Sequence, residues 1–134
     1  MSGVAIIDNL LRGSTAITET VSPADIKGGR LADDATLPVL LMRSLSIVDR
    51  QTLARESMVR STERVSVTVR AAAYRDQRAL IKLVRTACTG VVVDQIDDAS
   101  NISVLTAGAG PELNGPGNSF ERNQDFYVTY DAPA

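Results

Sequence analysis

Between residues 64 and 89 the chain carries two hydrophobic periods in succession, and few folds satisfy both. Val65, Val67, Val69 and Ala71 alternate with Arg64, Ser66, Thr68 and Arg70. A strand laid over these residues has one apolar face and one wet face. Directly after it, Leu80, Ile81, Val84, Ala87 and Cys88 recur at helical spacing over about residues 75–89, with Arg75, Arg78, Lys82 and Arg85 largely off that stripe. Gly90 stands where a C-terminal cap belongs. A half-apolar strand and a striped helix bury each other when the helix packs on the sheet, which sets the fold class as α+β.

The flanking segments extend this frame. Val4, Ile7, Leu10 and Leu11 fall at helical spacing, which places a first helix at about residues 3–12 with Gly13 as its cap. The β-branched run 14–21 reads as a short strand. Ser22-Pro23 opens an irregular stretch to residue 36, with one helical turn at Ala24–Lys27 and with Gly28-Gly29 and Asp33-Asp34 as breakers. Leu37-Pro38 enters a strand from Val39 to Asp49. Val39, Leu41, Leu45 and Ile47 are expected on one of its faces, Leu40, Met42 and Val48 on the other.

Residues 50–63 are polar and aperiodic, which suits a long hairpin arm or a flexible loop. Val91–Val93 and Ile102–Leu105 read as strand around a loop at Asp94–Ser100. Residues 108–119 hold four Gly and two Pro and read as a connection. A last strand from Phe120 to Asp131 places Phe120, Phe126, Val128 and Tyr130 on one face. The expected order is α-(β)-β-β-α-β-β: a mostly antiparallel sheet of four to five strands, with two helices on one face, in a single domain spanning residues 1–134.

Composition removes most chemistry. The chain has no histidine and one cysteine, so no Cys/His zinc cluster and no Ser-His-Asp or Cys-His arrangement can be built. Gly108-Ala109-Gly110 lacks the third glycine and the helix of a dinucleotide site. Asp94, Asp97 and Asp98 lack the calcium-loop spacing. No catalytic, cofactor-binding or metal residues are therefore expected, and no cofactor. A lone cysteine builds no disulfide framework, which makes a reducing compartment the default and Cys88 a small core residue. No run of about 18 apolar residues predicts a membrane span, and no basic segment precedes the first apolar run as a signal peptide requires.

Charge is unevenly spread. Residues 43–85 carry ten Lys/Arg against four Asp/Glu, a net of +6; residues 86–134 carry one against seven, a net of −6. Neighbouring strands pairing their exposed charges would account for this. So would a subunit with one positive and one negative surface, suited to head-to-tail contact. One aromatic, Tyr74, among nine arginines argues against specific nucleic-acid binding.

Three segments together resemble the tail terminator (tail completion) proteins of long-tailed bacteriophages and phage-like gene transfer agents. They are Leu37-Pro38-Val39-Leu40-Leu41-Met42-Arg43, the strand Arg64–Ala71 running through Tyr74 into the helix to Cys88, and the closing strand with Asp125-Phe126-Tyr127-Val128. The resemblance covers about residues 37–131 and the opening helix, and lies in order and pattern; the connection at 108–119 departs from it in length. It implies a structural virion protein of the tail or neck, made in the bacterial host cytoplasm. Its copies would form a homohexameric ring capping the tail tube and joining it to a head-side connector or stopper protein, with DNA only as passing cargo and no membrane partner.

Within that frame the interface candidates are Arg50, Leu53, Arg55, Met58 and Arg60 on the arm, and Arg64, Arg70, Arg75, Arg78 and Arg85 against Glu121, Asp125 and Asp131 of the next subunit. Intrachain pairing of these charges is the competing expectation. Two other readings stand beside the terminator: a head-tail connector of the same particle, and an unrelated small protein-binding domain. An enzyme working through Asp, Glu, Ser, Tyr or Lys comes after these.

Overall fold

The computed structural model describes residues 3–31 and 35–134. The chain runs α1 (Gly3–Arg12), α2 (Thr15–Thr20), a 3-10 turn (Pro23–Asp25), β1 (Ile26–Gly28), β2 (Val39–Arg50), β3 (Met58–Ala71) and α3 (Tyr74–Cys88). It continues through β4 (Val92–Ile96), β5 (Ala99–Ala109), β6 (Leu113–Asn114), a second 3-10 turn (Pro116–Asn118) and β7 (Phe120–Pro133). The strands form one sheet in the order β1-β2-β3-β7-β5-β4, with β6 beside β7. Every pairing is antiparallel except β1 with β2.

The sheet is built around β3 and β7, which pair without interruption from Met58↔Pro133 to Ala71↔Phe120. Their core-facing residues Val65, Val67, Val69, Phe126, Val128 and Tyr130 meet Ile6, Ile7 and Leu11 of α1, Ile17 of α2, and Leu80, Ile81, Val84 and Cys88 of α3 in one buried cluster. That cluster joins the two periods expected from the sequence. A smaller one, Leu31, Val39 and Leu41 with Ala35 and Leu37 against it, lies on the other face of β2. The opposite face of β3 is less wet than its residue types imply, since Ser66 and Arg70 are buried there.

Cys88 is fully buried and burial alone pushes its thiol up to about 12, so the reactive thiolate is scarce at neutral pH. A thiol reagent should leave the native protein unlabelled and react fully after denaturation. Cys88→Ala should cost roughly 1 kcal/mol or somewhat more in chemical denaturation.

Several expectations are corrected. The described residues contain seven strands and three α-helices rather than four to five and two. Residues 15–20 are a helix, not a strand. Ser14 caps it, its Oγ accepting from the Ile17 N–H, and Thr18 and Thr20 return their hydroxyls to the carbonyls of Ser14 and Ala16. Burial of Ile17 and Val21 under the sheet overrides the weak helix preference of β-branched residues. The irregular stretch contains β1, held beside Leu40–Met42; the breaker at Asp33-Asp34 lies outside the described residues.

In β2 a bulge between Ser44 and Ser46 exchanges the faces. Met42 pairs Val67 and Ile47 pairs Glu63, both core-facing positions of β3. Ile47 is therefore on the face of Met42 and opposite that of Val39 and Leu41. The polar arm is shorter than residues 50–63: positions 58–63 are β3, and only 51–57 connect the strands. Their polarity misled because polar residues, Ser61 and Glu63, occupy buried positions of this end of β3. The loop at 94–100 is a two-residue turn, Asp97-Asp98, with Asp97 at φ 51°, a conformation aspartate tolerates. The connection at 108–119 contains β6 and the second 3-10 turn.

Candidate assembly surfaces

The alternation in β3 and β7 sets arginines of one strand against acids of the other. Arg60 stands opposite Asp131 and Arg70 opposite Glu121, while Asp125 lies diagonal to Arg64, beside Tyr127. Arg60 Nη1 donates to Asp131 Oδ1 at 3.1 Å, and Asn101 Nδ2 donates to the other oxygen at 2.8 Å. These bonds, from Asn101 first, hold the Asp131 carboxyl below its ordinary range. Arg64 donates twice to Asp125 Oδ2, at 3.1 and 2.8 Å, with its guanidinium 5.6 Å from the Tyr127 ring centre. Arg70 Nε donates to Glu121 Oε1 at 2.6 Å.

Three of the acids expected on a neighbouring subunit are thus engaged within the chain. Cross-strand pairing accounts for much of the charge asymmetry.

Helix α3 keeps the rest. Arg75, Arg78, Lys82 and Arg85 are exposed along one side, spaced 3, 4 and 3 residues apart, which keeps them on one helical face. None of them has an ion pair among the described residues. Arg78 lies 5.8 Å from the Tyr74 ring centre. Arg78, Lys82 and Arg85 border an open groove of about 730 Å³ that Arg122 of β7 also lines. At the other end of the sheet the 51–57 connection is exposed throughout, with Arg50, Leu53, Arg55 and Met58 on the surface. Leu53 is in full contact with solvent.

One buried group escaped the sequence reading. Glu63 is fully buried beside the start of α1 and accepts at Oε1 from the Gly3 N–H at 2.8 Å and the Tyr130 hydroxyl at 2.9 Å. It shares the parity of Val65, Val67 and Val69, so an acid at a core-facing strand position was the available signal. The carboxylate sits at the start of α1, where helix polarity favours negative charge. A Cβ at Gly3 would stand 2.8 Å from the Glu63 carboxyl carbon, so this close approach needs glycine. Burial and the bond to Glu63 raise the Tyr130 phenol well above its ordinary range. Tyr130→Phe should cost about 1–3 kcal/mol in chemical denaturation, because a buried acid loses a donor.

Among the described residues no cluster of three or more His, Cys, Asp or Glu is placed to hold a metal ion, and no helix is long and apolar enough to cross a membrane.

No protein-family model matches the chain, and no curated protein matches it by sequence. Among solved structures, it is similar to a chain in the virion of a native gene transfer agent (GTA) particle, at 10% identity and a TM-score of 0.72. The match covers 98% of this chain and 100% of that one, so the two share one fold from end to end.

Proposed function

We propose that this chain is a structural virion protein of a bacteriophage or gene transfer agent, forming a ring that caps the tail tube and joins it to the head-side connector. The observation that carries the reading is the end-to-end likeness of fold to a chain of a gene transfer agent virion. A partial match would fit a shared motif, whereas this likeness extends over 98% of this chain and all of the other. The surfaces suit an adaptor. The basic side of α3, with Arg75, Arg78 and Arg85, offers a planar-fork arginine surface to an acidic partner. The opposite end of the sheet offers Arg50, Leu53, Arg55 and Met58 to the tail tube.

The test is genetic and structural together. Deleting the gene should leave separate heads and tails, with tube length uncontrolled, and a tagged copy should localise by electron microscopy to the tail-head junction. A tag on the head side of the junction, with tails capped normally in the deletion, would favour the connector reading. Particles that lack the chain and infect normally would overturn a virion role.

A further inference from the structure

The sheet has two open edges of unlike character. On one side, β1 covers β2 only at Leu40–Met42. From Arg43 to Arg50, β2 has β3 on one flank and no strand on the other among the described residues. The bulge at Leu45 turns this edge, yet residues 46–50 pair regularly with β3. Leu45, Ile47 and Val48 are 53%, 53% and 68% exposed. On the other side β4 pairs only with β5, and Val92 is 78% exposed.

Unpaired backbone donors and acceptors flanked by exposed β-branched residues are a template for strand addition, and folded proteins usually blunt such edges. Here β4 is blunted by being short, and β2 only by its bulge. The edges also differ in charge. Strand β4 carries Asp94 and no Lys or Arg, and Asp97 and Asp98 form the turn that follows it. The open part of β2 carries Arg43 and Arg50, and its one acid, Asp49, already accepts from the Ser61 hydroxyl.

We infer that the occupant of the open β2 edge is strand β4 of a second copy of this chain, joined by backbone hydrogen bonds. The arginine–aspartate pairs across this junction repeat the Arg60–Asp131 chemistry within the chain. The five residues of β4 fit within the eight-residue open length of β2. Two different edges meet, so the contact is heterologous; it propagates from copy to copy and closes as a ring when the rotation permits. The inference rests on the ring reading above and names its subunit contact.

The test is hydrogen exchange of the full chain, dilute and assembled, with sedimentation to establish the state. On assembly the amides of 43–50 and 92–96 should slow by about tenfold or more. Val48→Lys and Val92→Lys, both at exposed positions, should keep the fold and raise the concentration for half-assembly by about tenfold or more. Rings whose 43–50 amides exchange as in the monomer would overturn the inference, and the exchange of the unaltered chain decides this even if a lysine variant fails to fold. Lysine variants that assemble normally, or a chain monomeric at every concentration, would overturn it as well. Absence of the chain from particles would instead sink the virion reading, so the two failures are distinguishable.

Discussion

Val67→Asp should abolish cooperative folding. Val67 is fully buried on β3, between Met42 of β2 and Gln124 of β7 in the register of the sheet, and lies in the cluster with Leu80, Ile81 and Val84. Removing the side chain from that cluster forfeits about 1.5–3 kcal/mol of apolar burial. An aspartate adds a charge with no partner in the core, at several kcal/mol more. A domain of ordinary stability holds only about 5–15 kcal/mol in total, so the two losses together consume most or all of it. Circular dichroism and a thermal melt read the outcome directly. Thr68→Asp, one residue on and half-exposed on the opposite face, should stay folded and melt cooperatively. A soluble, cooperatively melting Val67→Asp protein would mean that this face of β3 is not core.

Elements with a clean period were legible because their period is also their burial pattern. The alternation through Val65, Val67 and Val69 and the stripe through Leu80, Ile81 and Val84 became one packed cluster. The N-terminal helix was placed at its observed bounds, Gly3–Arg12. What failed were segments whose conformation depends on distant partners. Residues 15–20 have strand-like residues, but Ser14 and the buried Ile17 make them a helix. Residues 58–63 look aperiodic because Glu63 occupies a core-facing position, and its acceptability rests on Tyr130, 67 residues away. The bulge at Leu45 cannot be seen in β2 alone, because it appears only in the register against β3.

The candidate surface was legible as charge and not as pairing. An excess of arginine in 43–85 and of acid in 86–134 is equally what β3 and β7 require to satisfy each other. The structure divides the arginines: Arg60, Arg64 and Arg70 meet acids of the same chain, whereas Arg75, Arg78 and Arg85 lie on α3 without an ion pair among the described residues. Exposed pairs are worth only about 0–1 kcal/mol each, so the strand pairs contribute modestly, and the proposed partner of the α3 row would have to meet several of its cations together.

Shortening the 51–57 connection should leave the domain folded and stop particle assembly. Every residue from Gln51 to Ser57 is exposed, so replacing the segment with Asn-Gly removes no core contact and leaves a four-residue connection, Asn-Gly with Met58 and Val59, between the paired Arg50 and Arg60. Leu53 is the decisive side chain. It is in full contact with solvent, and a loop needed only for closure has no use for a leucine there. Burying it in a partner is worth about 1.5–3 kcal/mol, and each 1.4 kcal/mol is about tenfold in affinity. Leu53→Asp should therefore weaken one such contact by about ten- to a hundredfold, and a ring that repeats the contact in every copy multiplies the loss. The melting temperature of either variant should stay within a few degrees of the parent, while complementation of a deletion strain should give few or no joined particles. Full infectivity from the shortened chain would show that this end of the sheet meets no partner, and would leave the basic side of α3 and the sheet edges as the surfaces that matter.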